Sequence, residues 1–304
     1  MAAPGNDAHT IRPERRHTRR SVLAGLAAFG ALGAAGCTRV ASASGEDGGD
    51  LLERLRAQGV VRLGIAGEVP FGYIDRDGNL TGEAPELARA IFTRLGVERV
   101  QPVPTEFGSL IPGLNAQQFD VVAAGMYVTP DRCEQVIFAD PDYRMPDAFI
   151  VRKGNPLGLR TYADALRRHA KIATGTGYAQ IQHAVEAGFK ENDLVIVPDQ
   201  VAGLNAVESG RVDLFAATAV TARMVARGSA KAESTKPFVA LVDGRPKADG
   251  GAFAFRPTET RLRDAFNAEL HKMRRSGELY RIVRPFGFTE AEMTTLTAKE
   301  LCRR

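Results

Sequence analysis

Phe119-Asp-Val-Val-Ala-Ala-Gly-Met-Tyr-Val-Thr-Pro-Asp-Arg132 is the stretch around which the rest of the chain is organised. Phe119 to Ala124 is an apolar run interrupted only by Asp120, short enough for a buried strand. Thr129 then has the chemistry of a helix N-cap, with Pro130 at the first helical position and Arg132 in the first turn. A strand that ends in a small residue, here Gly125, and gives way to a helix start is where ligands sit at the carboxyl edge of an α/β sheet. Helix N-termini are electropositive, so the macrodipole does not favour a guanidinium there. Arg132 has a reason to stand at that point if an anion lies between its planar fork and the free backbone N–H groups. A surface arginine solvating a helix end is the competing reading, and this stretch alone does not choose between them.

Toward the N-terminus the pattern alternates. Leu51 to Gln58 reads as a short amphipathic helix and Val60 to Ile65 as the first strand. The loop after it, Ala66 to Tyr73, carries Glu68 and Phe71; taken singly, a solvated acid and a core plug are the plainer readings. Asp77-Gly78-Asn79-Leu80 is a turn signature, and Thr81 to Pro85 leads into a helix over Glu86 to Leu95. A second strand, Val100 to Pro104, is followed by a loop with Phe107 just ahead of another helix. Strand and helix in this order predict an open parallel sheet with its loops gathered on one edge.

The composition, 44% hydrophobic and 25% charged over 304 residues with no Trp, is that of ordinary globular material long enough for two domains. The formal charge of +4 is concentrated at the front: the first 36 residues hold five Arg and two acids, and without them 35 basic and 34 acidic residues remain. A near-neutral body implies no nucleic-acid surface. Arg12, Arg15, Arg16, Arg19 and Arg20 precede an apolar run, Val22 to Gly36, too short to span a bilayer and in the charge order of a secretory signal. Thr18 to Leu23 resembles a twin-arginine export motif with Val22 in place of the usual Phe, and Ala34-Ala35-Gly36-Cys37 resembles a lipobox with Ala34 in place of Leu. Residues 1–36 are thus expected to be a signal peptide and Cys37 the lipidated first residue of the mature chain. The Ser-, Gly- and acid-rich stretch to residue 50 reads as a flexible tether. Beyond Cys37 only Cys133 and Cys302 remain, which excludes a disulfide framework and leaves one optional bridge. The histidines lack metal-ligand spacing, and no metal or cofactor is expected.

Four motifs together carry a resemblance: Glu68-x-Pro-Phe-Gly-Tyr73, Leu80-Thr-Gly-Glu-Ala-Pro-Glu-Leu-Ala88, Phe107-Gly-Ser-Leu-Ile-Pro-Gly-Leu114 and the opening stretch. They resemble the polar amino-acid family of ABC-transporter substrate-binding proteins, most of all its ectoine and hydroxyectoine binders, from about Val60 to Phe286. The resemblance implies an α/β, periplasmic-binding-protein type II fold: two α/β lobes around a ligand cleft, joined by two crossing segments. Lobe 1 would comprise residues 51–149 and 250–304 and lobe 2 residues 150–249. Asp147 to Lys153 would form the first crossing and Gly244 to Phe253 the return. In the second lobe Gly175-Thr176-Gly177-Tyr178 would open a helix and offer hydroxyl and N–H donors to an anion, although Thr176 would serve equally as an ordinary N-cap.

The resemblance also places the site residues. Arg132 matches the arginine that holds a ligand carboxylate, with Gly125, Thr176 and Gly177 completing the grip. Relatives that bind common amino acids usually carry Ser or Thr at Tyr127 and, at Thr218, an Asp that receives the α-ammonium. Both departures point to an aromatic cage of Phe71, Phe107 and Tyr127, suited to a weakly hydrated, delocalised cation, with Glu68 accepting its N–H groups. Ectoine, a cyclic amidinium carrying a carboxylate, meets both requirements. The expected partners are that zwitterion, the ABC permease subunits and, through the lipid, the membrane, for a monomer held outside the cytoplasm. Another zwitterion or betaine is the alternative ligand. A periplasmic dehydratase on the same fold is the alternative of a different class, but His169, His183 and His271 show no base-and-orienter pattern.

Overall fold

A computed structural model of the chain describes residues 50–303 apart from 243, 244 and 248. The expected signal peptide, Cys37 and the expected tether up to residue 49 lie outside the described residues.

Asp50 caps the first helix, α1 (Leu51–Gln58), by accepting from the Leu52 N–H, and Gly59 ends it in the left-handed region at φ 66°. There follow β1 (Val60–Ile65), the short hairpin β2 (Tyr73–Ile74) and β3 (Leu80–Thr81), α2 (Glu83–Arg94), β4 (Arg99–Pro104) and α3 (Leu110–Asn115). Then come β5 (Val121–Tyr127), the single turn α4 (Pro130–Cys133), β6 (Ile137–Phe138) and β7 (Tyr143–Arg144). The next stretch holds β8 (Asp147–Arg152), α5 (Tyr162–Arg167), β9 (Ile172–Gly175), α6 (Ala179–Glu186), β10 (Val195–Val197), α7 (Gln200–Glu208), β11 (Leu214–Thr218), α8 (Ala219–Ala226) and β12 (Ala232–Ser234). A second hairpin, β13 (Leu241–Val242) and β14 (Arg245–Pro246), leads to β15 (Gly250–Phe255), α9 (Thr260–Arg275), α10 (Glu278–Val283) and a last short helix, α11 (Ala298–Leu301).

The strands make two mixed sheets, ordered β4-β1-β5-β15-β6, with β7 also on β15, and β10-β9-β11-β8-β12. In the first, β4, β1 and β5 run parallel; in the second, β10, β9 and β11 do. Each sheet thus repeats the strand-helix-strand pattern, and the loops leaving the carboxyl ends of β1, β5, β9 and β11 come to one region.

Two expected crossing segments prove to be strands. Asp147 to Arg152 is β8, antiparallel to both β11 and β12 inside the second sheet, and Gly250 onward is β15, antiparallel to β5 inside the first. Their apolar runs are buried on both faces, as strands covered by helices must be, and an unbroken apolar pattern does not distinguish that from a buried connection. The chain leaves the first sheet at Met145-Pro146, directly after β7, and returns ahead of β15. Among the described residues no helix is long and apolar enough to cross a membrane.

A disulfide joins Cys133 to Cys302 across 169 residues of sequence, with the Cα atoms 5.8 Å apart. It fixes the C-terminal segment to the turn that carries Arg132.

Candidate functional site

Between the loops of the two sheets lies a cavity of about 30 Å³. Glu68, Phe71, Phe107, Gly125, Tyr127 and Arg132 line it from elements of the first sheet; Tyr178, Gln180, Thr218 and Thr221 line it from the second. Seven of the nine residues picked from sequence therefore share one enclosure: all but Thr176 and Gly177.

The local sequence accounts for the first wall. Thr129 caps α4 by accepting from the Arg132 N–H at 3.4 Å, and Pro130 occupies the first helical position. The cap orients Arg132 so that one terminal nitrogen donates to the Tyr127 carbonyl at 2.6 Å and the other to the Gly177 carbonyl at 2.8 Å. Its guanidinium carbon stands 5.6 Å from the centre of the Phe107 ring, within cation–π range. Among the described residues no carboxylate pairs with it, and burial pulls its pKa down to about 10, leaving it charged at neutral pH. Gly125 has φ 64°, and a Cβ there would stand 2.2 Å from the Phe71 ring; only glycine lets that ring lie against β5. Phe71 in turn stacks on Tyr143 at 5.7 Å, and the Tyr143 hydroxyl donates to the Gly125 carbonyl at 3.0 Å. The Tyr127 hydroxyl donates to the Met145 carbonyl at 2.9 Å, so this ring is tied to the segment where the chain changes sheets.

Glu68 is 6% exposed. It accepts a short hydrogen bond from the Tyr178 hydroxyl, which reaches it from the second wall. Burial pushes its pKa up to about 7, the Tyr178 bond opposing this and Asp199 adding to it. Glu68, too, has no cation beside it among the described residues.

On the second wall the sequence reading needs correcting. The α6 helix starts at Ala179 with Tyr178 at the N-cap and no side-chain cap. The hydroxyl and the N–H of Thr176 both donate to the Val197 carbonyl, so neither is free for an anion, and Gly177 presents its carbonyl to Arg132. This turn also packs closely on the Phe107 loop: a Cβ on Gly177 would lie 2.9 Å from the Gly108 Cα. Thr218 lines the cavity as expected, but its hydroxyl is shared: it accepts from the Thr221 N–H at 3.2 Å, capping α8, and meets the Thr221 hydroxyl at 2.8 Å. Sequence reasoning missed Tyr178, Gln180 and Thr221. Their position just past the carboxyl ends of β9 and β11 was the available signal.

Behind this wall is a buried ionic group that the sequence also concealed. His183 Nδ1 donates to Asp147 at 2.7 Å, and Nε2 stands 3.5 Å from Asp249. Tyr162 and Gln180 donate to the same Asp147 carboxylate at 2.8 and 2.7 Å. Burial opposes the charge of His183, but Asp147 and Asp249 together outweigh it and raise its pKa to about 10. The imidazolium thus links the start of β8 to the residue just ahead of β15. The histidine does have orienting partners, contrary to the sequence reading, because they lie 36 and 66 residues away in sequence and meet only in the fold. His183 does not line the cavity.

Comparison with known proteins bears on this geometry. The sequence profile of bacterial extracellular solute-binding proteins, family 3, matches residues 61–289. The probable amino-acid ABC transporter periplasmic-binding protein y4tE of Sinorhizobium fredii (strain NBRC 101917 / NGR234) is 35% identical over 257 residues, covering 83% of this chain and 85% of its own. The arginine-binding extracellular protein ArtP of Bacillus subtilis (strain 168) is 30% identical over 215 residues, 70% of this chain and 80% of its own. Among solved structures, EhuB in complex with hydroxyectoine superposes with a TM-score of 0.74 at 38% identity, covering 83% of this chain and 97% of that one. The fold is the periplasmic-binding-protein type II fold anticipated from the motifs. With the profile spanning both sheets and a 35% identical relative aligned along 83% of this chain, the chain belongs to the bacterial extracellular solute-binding proteins, family 3.

Proposed function

We propose that this chain is the extracytoplasmic receptor of an ABC importer and that its ligand is ectoine or hydroxyectoine. One observation carries the reading. A buried carboxyl and a half-buried guanidinium face the same ring-lined cavity, and among the described residues neither has an ion-pair partner. Burying an unpaired charge is costly, so such an arrangement is stable in function when a ligand supplies both complements. A zwitterion does so: its carboxylate meets Arg132, and a delocalised cation meets Glu68 and the faces of Phe71, Phe107 and Tyr127. Each cation–π contact contributes about 0.5–2 kcal/mol and each charge-assisted hydrogen bond roughly 1.5–3 kcal/mol. Several of them, less the cost of ordering, reach the roughly 8 kcal/mol of micromolar binding.

The contacts between walls supply the mechanism. Tyr178 to Glu68 and Arg132 to Gly177 are bonds that only a closed pair of lobes can make. A ligand held by Arg132 and Glu68 on one lobe and by the second wall on the other gives the closed state an interaction that the open state lacks. Permease subunits then read closure, and a lipid on Cys37 would hold the receptor at the outer face of the membrane.

The second reading, a receptor for a polar amino acid, has y4tE and ArtP in its favour. Thr218 argues against it, because a neutral hydroxyl already engaged with Thr221 offers an α-ammonium no counter-charge. Isothermal titration with ectoine, hydroxyectoine, glycine betaine, L-arginine and L-glutamine separates the two. Micromolar or tighter binding of the ectoines, with the amino acids at least about a hundredfold weaker, is expected; arginine binding more tightly than either ectoine sinks the proposal.

A further inference from the structure

The buried ionic group and the cavity touch at one residue. Gln180 lines the cavity and is 2% exposed, and its amide nitrogen donates to Asp147. The Asp147 carboxylate is an acceptor only, and it is held on every side: Tyr162 and His183 donate to one oxygen, Gln180 to the other. Turning the Gln180 amide over would set two oxygens face to face at 2.7 Å in a buried site. The amide therefore has one allowed orientation, with Oε1 as its other pole, and no hydrogen bond to Oε1 is made among the described residues.

We infer that Gln180 is a specificity-determining residue that offers Oε1 to a ligand N–H or O–H, and that Asp147, held by Tyr162 and His183, is the positioning residue that keeps that acceptor turned toward the ligand. The second wall then selects in two ways. It accepts a hydrogen from a group that carries one, and it rejects a carboxylate or other pure acceptor at that point, since two acceptors cannot share a contact. With Thr218 and Thr221 beside it, this pole of the cavity reads a hydrogen-bond donor without supplying a formal negative charge. Asp147 is screened from the ligand by the very groups that bind it, so its charge acts on orientation and not on the cation directly.

This inference rests on the zwitterion reading of the site, and the test keeps the two apart. Ectoine is titrated into the wild-type protein and into Arg132→Ala, Gln180→Met, Asp147→Asn and the Gln180→Met/Asp147→Asn pair, with thermal unfolding of each as a control on folding. Gln180→Met preserves volume and removes the acceptor; its affinity is expected to fall about tenfold with the unfolding midpoint little changed. Asp147→Asn frees the amide to turn and should give a similar loss, whereas in the Gln180→Met background it should add less than about twofold, because it acts through the amide. If Arg132→Ala loses binding while Gln180→Met stays within about twofold of wild type, the Gln180 inference is overturned and the site reading stands. If Arg132→Ala binds as well as wild type, the site reading itself fails. Should Asp147→Asn not fold, the Gln180→Met result decides the ligand contact, and full additivity in the His183→Gln/Gln180→Met pair rejects the positioning role.

Discussion

On the wall built from the first sheet, buried Glu68 and half-buried Arg132 have no ion-pair partner among the described residues; one layer behind the other wall, His183 is buried between Asp147 and Asp249. All are ionisable groups wholly or partly withdrawn from water, and burial shifts Glu68 up and Arg132 down, while two carboxylates override burial at His183. The difference is what completes them. The His183 imidazolium has its counter-charges within the protein, hydrogen-bonded to Asp147 and 3.5 Å from Asp249. Glu68 and Arg132 are held open by carbonyls and a tyrosine hydroxyl, none of which balances charge. A perturbed buried group marks a binding site when its counter-charge has to arrive from outside.

The contrast breaks most sharply at Arg132. Arg132→Ala should abolish measurable ectoine binding, a loss of more than about a hundredfold, while leaving the unfolding midpoint close to wild type. Affinity retained within threefold in calorimetry would show that the unpaired guanidinium does not receive the carboxylate.

Glu68 gives the next largest effect, and its sign is fixed. A carboxyl raised from its ordinary range to about 7 keeps its proton in the folded protein where the unfolded chain has lost it, so this group lowers stability as pH rises toward 7. A cationic ligand favours the carboxylate, and binding below pH 7 releases a proton. Ectoine affinity should therefore rise by up to about tenfold per pH unit between 5.5 and 7 and level off above, and Glu68→Gln should flatten the profile. Titrations in buffers of different ionisation enthalpy report the released proton; its absence at pH 6 would place the cation elsewhere.

The smallest effect sharpens the comparison from the neutral wall. Thr218→Asp retains an N-capping side chain for α8 while introducing the counter-charge this wall lacks. The ratio of L-arginine to ectoine affinity should increase about fivefold or more. An unchanged ratio means that position 218 does not face the ligand's cation.

The first wall was legible because its determinants are local. Strand, small residue, Thr129, Pro130 and Arg132 follow one another in sequence, and each has a backbone role that the residue type reveals. The same is true of α1 and β1, whose bounds coincide with the pattern read from Leu51 to Ile65. The second wall was less legible because its roles are assigned by partners far away. Whether Gln180 presents nitrogen or oxygen depends on Asp147, whose ion pair with His183 spans 36 residues, and Thr176 was disqualified by Val197, 21 residues on. The apolar runs of β8 and β15 were read as connections because burial on both faces erases the alternation that marks a strand.

The turn that carries Arg132 is four residues long, far too short to persist as a helix by itself. It owes its shape to one threonine cap and to a covalent tie with Cys302, which closes most of the folded chain into a loop. That tie can form only where thiols oxidise, so a polypeptide still in a reducing compartment lacks one restraint on the turn that carries Arg132. Maturation of the receptor is in this sense finished by the chemistry of the place to which it is delivered.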